Sequence, residues 1–312
     1  MSDHNTTHSI EVIIPTLNEG STIGKLIDSI NSLKTPHKIS ILVIDGGSTD
    51  DTMKICKEHN VKAIRQKGRG KGTAMRESVE HTDADIIVFI DGDGTYSATD
   101  LESMIAPILN DEAEMVVGSR VLGEMEKGAI TRFNRLGNCL FNKTINFALK
   151  SKVTDSLTGY RALRRDAFND LVLFSRNFEI EIEMTVEALA KGYRVIEIPV
   201  KYGNRVNSKT KLNPVNDGLK ISRTLFFIAM NVNPLKFFGL FMLGFIIVGL
   251  IPTSQAIYEK IFLGEITSIP SVILAALLFV SGAISLVIGV LSEIVVRSRH
   301  RIEYLISKNR KL

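Results

Sequence analysis

Two carboxylates two residues apart, Asp91 and Asp93, follow the apolar run Ile86-Ile87-Val88-Phe89-Ile90 directly, and glycine stands at 92 and 94. Oxygens placed this way can hold a hard divalent cation, accept hydrogen bonds from hydroxyls, or merely close a solvated turn. Two further apolar runs end in polar residues: Pro15-Thr16-Leu17-Asn18-Glu19 and Asp45-Gly46-Gly47-Ser48-Thr49-Asp50. Glu19 and Asp45 suit hydrogen bonds to a base or ribose, whereas Ser48, Thr49 and Asp50 suit capping of the helix that follows. Lys67-Gly68-Arg69-Gly70-Lys71-Gly72 sets a flexible, basic backbone before a helix start, an arrangement that suits phosphate although its spacing fails the P-loop pattern. A calcium loop is a competing reading of Asp91, Asp93, Thr95, Ser97, Thr99 and Glu102. It fails at Tyr96, where such a loop needs glycine, and a strand rather than a helix leads into it.

The elements that must position these residues alternate. Strand-like runs at Ser9 to Pro15, Ile39 to Asp45, Val61 to Arg65, the run ending in Asp91, and Ala113 to Ser119 are separated by helical patterns. The helices are expected at Glu19 to Leu33, Asp50 to His59, from Gly72, and Thr99 to Leu109. Such repetition predicts an α/β domain whose mostly parallel sheet is covered by helices on both faces, with its ligand at the carboxyl ends of the strands.

Composition divides the chain. Up to about Asn233 it is ordinary for a soluble domain, while Phe237 to Tyr258 and Ile266 to Ser292 contain no charged residue. Each run exceeds the roughly 20 residues that cross a bilayer as a helix. They are expected to form two transmembrane helices, a buried hairpin being the alternative. Lys236 precedes the first, Arg297, Arg299, Arg301, Lys308, Arg310 and Lys311 follow the second, and only Lys260 lies between. That asymmetry places both flanks on the cytoplasmic side of the cell membrane, with no signal peptide at the N-terminus. The expected divisions are a cytoplasmic α/β domain over 1–211, a juxtamembrane amphipathic helix over 212–233, a hairpin over 234–296 and a basic tail over 297–312. Cys56 and Cys139 lack metal-ligand spacing and read as reduced, structural thiols. The net charge of +4 is mild and better matched to a membrane surface than to nucleic acid.

In the second half of the domain, Ile130, Phe133, Leu136, Leu140, Phe141, Ile145 and Ala148 recur at helical spacing, with Arg132, Arg135, Asn138, Asn142 and Lys143 among them. A basic amphipathic helix of this kind can lie in a membrane interface or pack on a core with its basic face solvated.

The ordered set Ile14-Pro15-Thr16-Leu17-Asn18-Glu19, Val43-Ile44-Asp45-Gly46-Gly47-Ser48-Thr49-Asp50, Gly70-Lys71-Gly72, Asp91-Gly92-Asp93 and Gly118-Ser119-Arg120 resembles family 2 glycosyltransferases of the GT-A fold. More narrowly, the chain is similar to the dolichyl- and polyprenyl-phosphate sugar synthases. Asp155-Ser156-Leu157-Thr158-Gly159-Tyr160-Arg161 and Phe178-Glu179-Ile180-Glu181 also match them.

That resemblance implies a nucleotide site of Pro15, Asn18, Glu19, Asp45, Lys71, Asp91 and Lys209. It implies Mg²⁺ or Mn²⁺ on Asp93 with Asp91 beside it, and Thr95 stands where some relatives carry a glutamine ligand. Arg205 and Lys209, or Lys211, would reach the diphosphate from a mobile loop that here lacks the usual glycine. Arg120, Arg132 and Ser208 would hold the acceptor phosphate. Asp155 and Glu181 would contact sugar hydroxyls or brace the arginines. The implied partners are a UDP- or GDP-linked sugar, a dolichyl or polyprenyl phosphate and the lipid bilayer; no nucleic acid is expected, and a homo-oligomer stays open. A processive polysaccharide synthase is a rival expectation, but its Gln-x-x-Arg-Trp element is absent, as the chain has no tryptophan. A non-catalytic membrane docking module is the other rival.

Overall fold

The computed structural model describes residues 8–205, 230 and 234–310, without the side chains of 132, 133, 299–301 and 303–310. It divides into two compact units, Met1–Thr224 and Leu225–Leu312. The expected juxtamembrane helix over 212–233 lies outside the described residues, apart from Met230.

In the first unit the elements run β1 (Ser9–Thr16), α1 (Ile23–Asn31), β2 (Lys38–Asp45), α2 (Thr52–Glu58), β3 (Lys62–Arg65), α3 (Lys71–Val79), β4 (Ile86–Phe89), α4 (Leu101–Leu109) and β5 (Met115–Ser119). Then come α5 (Arg132–Leu149), β6 (Arg161–Arg164), α6 (Arg165–Asp170), α7 (Glu179–Ala190) and β7 (Val195–Pro199). α1 begins four residues after Glu19, because Glu19 to Thr22 fold into a turn in which the Glu19 carbonyl accepts from the Thr22 and Ile23 amides, each at 3.0 Å. The sheet has seven strands in the order β3-β2-β1-β4-β6-β5-β7. All its pairs are parallel except those of β6, which runs antiparallel between β4 and β5.

Side chains alternate across a strand, so each face builds its own core. Ile86, Val88 and Ile90 join Ile10, Val12 and Ile14 beneath α1 and α4. Ile87 and Phe89 join Ile13 and Leu42 beneath α3, α6 and α7. The parity continues past β4, so Asp91 falls on the side of α3 and α7. The calcium-loop geometry does not form. Tyr96 is buried and pairs with Tyr202 as an isolated bridge, and the Ser97 hydroxyl accepts from the Thr99 amide to start a short 3₁₀ turn. Cys56 is buried, as expected of a structural thiol, but Cys139 is exposed on α5.

The second unit holds two helices, Pro234–Phe262 and Ile269–Arg310, each long and apolar enough to cross a membrane. Within their most apolar windows only 11% and 22% of residues are buried, far too few for the core helices of the alternative reading. They pack through small residues: a Cβ on Gly289 would come within 2.9 Å of the Phe238 Cβ, and the Ser285 hydroxyl donates to the Phe238 carbonyl at 2.9 Å. Close backbone approach and hydroxyl bonds of this kind hold apolar helices together where burial gives no net drive. The Glu259 carboxylate accepts from the amides of Thr267 and Ser268, each at 2.9 Å, and closes the link. The second helix continues through the expected basic tail to Arg310, so residues 297–310 are not a separate element.

Candidate active site

Asp91 meets the two helices on its side of the sheet. Lys71, the first residue of α3, places its ammonium between the carboxylates of Asp91 and Glu181, the latter at 2.5 Å. The Phe178 ring covers the ammonium at 5.6 Å. Burial alone would push this lysine down, but Asp91 and Glu181 outweigh it and hold the ammonium above its ordinary value. Burial pushes the Glu181 carboxyl up, and repulsion from Asp91 adds to it against Lys71 and Arg161, since one lysine bridges two acids. Gly159 packs onto Asp91 so closely that any Cβ there would collide with its carboxylate.

Both groups expected to face phosphate have protein partners here: the Lys71 ammonium lies between Asp91 and Glu181, and at the α3 N-terminus the amides of Gly72 and Thr73 donate to the Arg176 carbonyl at 2.9 and 3.3 Å. The backbone of 175–177 lies so tightly on Gly70 and Gly72 that a side chain at either would overlap it.

Asp93 is 3% exposed and fully paired on both oxygens. Oδ1 accepts from the Thr95 amide at 3.1 Å and hydroxyl at 2.6 Å, while Oδ2 accepts from Arg205 Nε at 2.7 Å. Burial pushes the carboxyl up, but Thr95 and Arg205 prevail and hold it below the usual carboxylate range. Burial likewise opposes the charge on Arg205; Asp93 overrides it, with Glu19 and Asp91 adding to the same field. The ends of β1 and β4 therefore converge electrostatically on one guanidinium. The segment before Arg205 is pinned: Gly203 donates its amide to the Thr95 carbonyl at 2.8 Å, and Asn204 donates its own to Glu126 Oε2 at 2.8 Å. Ser208, Lys209 and Lys211 lie outside the described residues.

On the β1 and β2 side, Asp45 is buried and turns inward. Its carboxylate accepts from the Gly47 amide at 3.0 Å and from the Ser48 amide and hydroxyl, so it braces its own loop. Asn18 sits at φ +56°, a left-handed conformation that asparagine tolerates, and its side-chain oxygen accepts from the Thr49 amide at 2.8 Å. Ser48 in turn accepts from the Asn18 amide, so Ser48 and Thr49 tie the two loops together instead of capping α2. Asp50 precedes the N-cap residue Asp51 and accepts from the amide of Thr52, the first residue of α2, at 3.0 Å. Pro15 and Glu19 are half-buried at the mouth of this loop pair.

Arg120, just past β5, presents a two-pronged fork to Asp155: Nε to Oδ2 at 2.7 Å and Nη2 to Oδ1 at 2.8 Å. Its guanidinium also stacks over the Tyr202 ring at 5.2 Å. Asp155 thus braces this arginine, one of the two roles expected for it. Arg132 opens α5, but its side chain is not among those described. On α5 the expected single apolar stripe splits. Phe141 and Ile145 are fully buried, whereas Leu136, Leu140 and Phe147 are more than half exposed.

One buried charge was given no role by the sequence. Arg161 of β6 is wholly inaccessible and donates to the carbonyls of Thr158 and Ser156 and the Thr185 hydroxyl at 2.7 to 2.9 Å. Burial drives it down to about 10, against the pull of Glu181 and Asp155. An arginine within a short strand pattern carries no local signal of this.

The model for "Glycosyl transferase family 2" matches residues 11–172. Glycosyltransferase AglJ of Haloferax volcanii is 37% identical over 299 residues, covering 95% of this chain and 96% of the relative. A UDP-N-acetylglucosamine–dolichyl-phosphate N-acetylglucosaminyltransferase of Methanococcus voltae is 30% identical over 71% of this chain and 96% of the relative. Among solved structures, glucosyl-3-phosphoglycerate synthase of Mycobacterium tuberculosis, in complex with Mn²⁺, UDP and its product, superposes with a TM-score of 0.58 at 23% identity. That match covers 72% of this chain and 79% of the other, and it establishes the shared GT-A fold. With the strand-end carboxylates, the parallel sheet and these matches in agreement, the chain belongs to glycosyl transferase family 2.

Proposed function

We propose that this glycosyltransferase moves a single sugar from a nucleotide sugar to a dolichyl or polyprenyl phosphate at the cytoplasmic face of the cell membrane, giving a lipid-linked monosaccharide for glycan assembly. The observation that carries the reading is the pair of guanidinium groups at the strand ends, Arg205 on Asp93 and Arg120 on Asp155. One lies over the carboxylate expected at the leaving diphosphate, the other where an anionic acceptor would arrive. The relative named for a UDP-sugar and dolichyl phosphate favours a UDP-sugar donor over GDP-mannose. The two apolar helices supply a bilayer anchor, and the basic residues flanking them favour a cytoplasmic catalytic unit.

The donor set around Asp93 is oxygen only, one carboxylate and the Thr95 hydroxyl, and among the described residues no three acidic, histidine or cysteine side chains form a cage. Such a sparse site fits Mg²⁺ or Mn²⁺, which keep waters and take most ligands from substrate phosphates. Held by Asp93, with Asp91 beside it, the ion would neutralise charge on the departing diphosphate. Arg205 would turn from Asp93 to the same phosphates. Inverting transfer needs the acceptor oxygen in line behind the anomeric carbon, and a phosphate monoester is already anionic, so no strong general base is required. Arg120 orients that phosphate, its fork fixed in advance by Asp155. Lys71 holds Asp91 in place toward the sugar or ribose.

The test uses purified full-length protein in micelles with Mn²⁺, a panel of UDP- and GDP-sugars, and dolichyl phosphate or phosphoglyceric acid as acceptor. Sugar appearing on the lipid phosphate supports the reading. Transfer confined to phosphoglyceric acid, or none to either, overturns it.

A further inference from the structure

α5 carries asparagines where a core-packed helix would carry apolar side chains. Asn138 and Asn142, one turn apart, are 7% and 5% exposed and sit beside the fully buried Phe141 and Ile145. A buried amide is tolerated only when its polar atoms are bonded, and here they form a directed chain. Asn142 Nδ2 donates to Asn138 Oδ1 at 3.1 Å, and Asn138 Nδ2 donates to Asp155 Oδ1 at 2.9 Å. Asn142 Oδ1 accepts from the Ser156 amide and hydroxyl at 3.0 and 2.7 Å, fixing the start of the chain.

At Asp155 the chain meets Arg120. A carboxylate offers about four acceptor positions, and all are filled: Oδ1 by Asn138 and Arg120 Nη2, Oδ2 by Arg120 Nε and the Arg120 amide at 3.0 Å. The Asp155 amide is itself fixed on Glu197 Oε1 at 2.8 Å. With the carboxylate plane set from the α5 side, the plane of the Arg120 fork is set too, because a two-pronged pair is directional.

We infer that Asn138 is a positioning residue for the acceptor: acting through Asp155, it sets the angle at which Arg120 meets the acceptor's phosphate. The inference rests on the proposed lipid-phosphate reaction. Asn146 is the internal control. It is similarly bonded, with Nδ2 to the Val153 carbonyl at 2.9 Å and Oδ1 accepting from the Val153 amide at 2.8 Å, but it makes no bond to Asp155.

The experiment measures transfer by full-length protein in nanodiscs for wild type, Asn138→Leu, Asn138→Ser and Asn146→Leu. For Asn138→Leu, KM for dolichyl phosphate should rise about tenfold to a hundredfold, the range for losing one hydrogen bond to a charged group, with KM for the nucleotide sugar unchanged. Asn138→Ser, which keeps a small polar group and the fold, should show a smaller rise in the same constant. Asn146→Leu should lower the melting temperature without changing either KM. Unchanged acceptor KM in both Asn138 variants, or equal effects on both substrates, overturns the inference. Absence of lipid product from the wild type overturns instead the reaction on which it rests.

Discussion

Arg205 approaches a single oxygen of Asp93, Oδ2, with both Nε at 2.7 Å and Nη2 at 2.5 Å. The guanidinium therefore occupies the carboxylate edge that a divalent cation would need. Arg205→Gln should free that edge and tighten Mn²⁺ binding without nucleotide by about tenfold, as expected from removing one charge-assisted competitor. The same variant should lose roughly 10²- to 10³-fold in kcat, because the charge on the leaving group is no longer met. Mn²⁺ titration followed by electron paramagnetic resonance reads the first effect, and unchanged affinity would remove Arg205 as a competitor.

Asp93→Ala should abolish metal-dependent transfer while leaving the sheet intact. A folded variant with the wild-type rate would eliminate Asp93 as the metal ligand.

Lys71 separates structure from ligand binding. It neutralises two carboxylates, one of them, Glu181, only 5% exposed. Lys71→Met should destabilise the protein by about 3–5 kcal/mol, the usual effect of stranding a buried charge. The double variant Lys71→Met/Glu181→Gln should recover part of that loss, since the more deeply buried unpaired acid is gone. Thermal unfolding decides it. A lysine that served only the nucleotide would change donor affinity and leave the melting temperature alone.

Asp155 makes the stability pH-dependent. Burial pushes its carboxyl up, but the Arg120 fork and amide and Asn138 prevail, leaving it below the ordinary carboxylate value. A group depressed on folding stabilises above its unfolded value, about 3.9, and that stabilisation fades as pH falls through the lower folded value. The gap in melting temperature between wild type and Asp155→Asn should be full at neutral pH and shrink below about pH 4. A gap that stays constant with pH would show that the charge pair contributes nothing.

The outward face of α5 has a separate test. Leu140→Ser and Phe147→Ser remove apolar side chains worth about 1.5–3 kcal/mol each when fully buried. In nanodiscs the pair should raise KM for a long-chain polyprenyl phosphate and leave that for a short, water-soluble prenyl phosphate unchanged. Equal effects on both acceptors would argue against a membrane-facing helix.

The sequence shows the alternation of strands and helices through β5, the two uncharged spans and the carboxylate turn after β4, because each is written in residues adjacent or one turn apart. It also carried the parity that turns Asp91 toward α3 and α7: Ile87 and Phe89 share that face in a strand of period two. Which charges meet is a property of the folded chain. Lys71 and Glu181 are 110 residues apart, Asp93 and Arg205 are 112 apart, and Arg120 and Asp155 are 35 apart. Those pairings follow from which helix packs on which face and where each loop returns. Local periodicity cannot show that Asp45 braces its own loop, that the α3 N-terminus is covered by Arg176, or that α5 turns its asparagines inward. In each case a polar group leaving water had to find a partner, and the partner was supplied by the return of a loop or the docking of a helix.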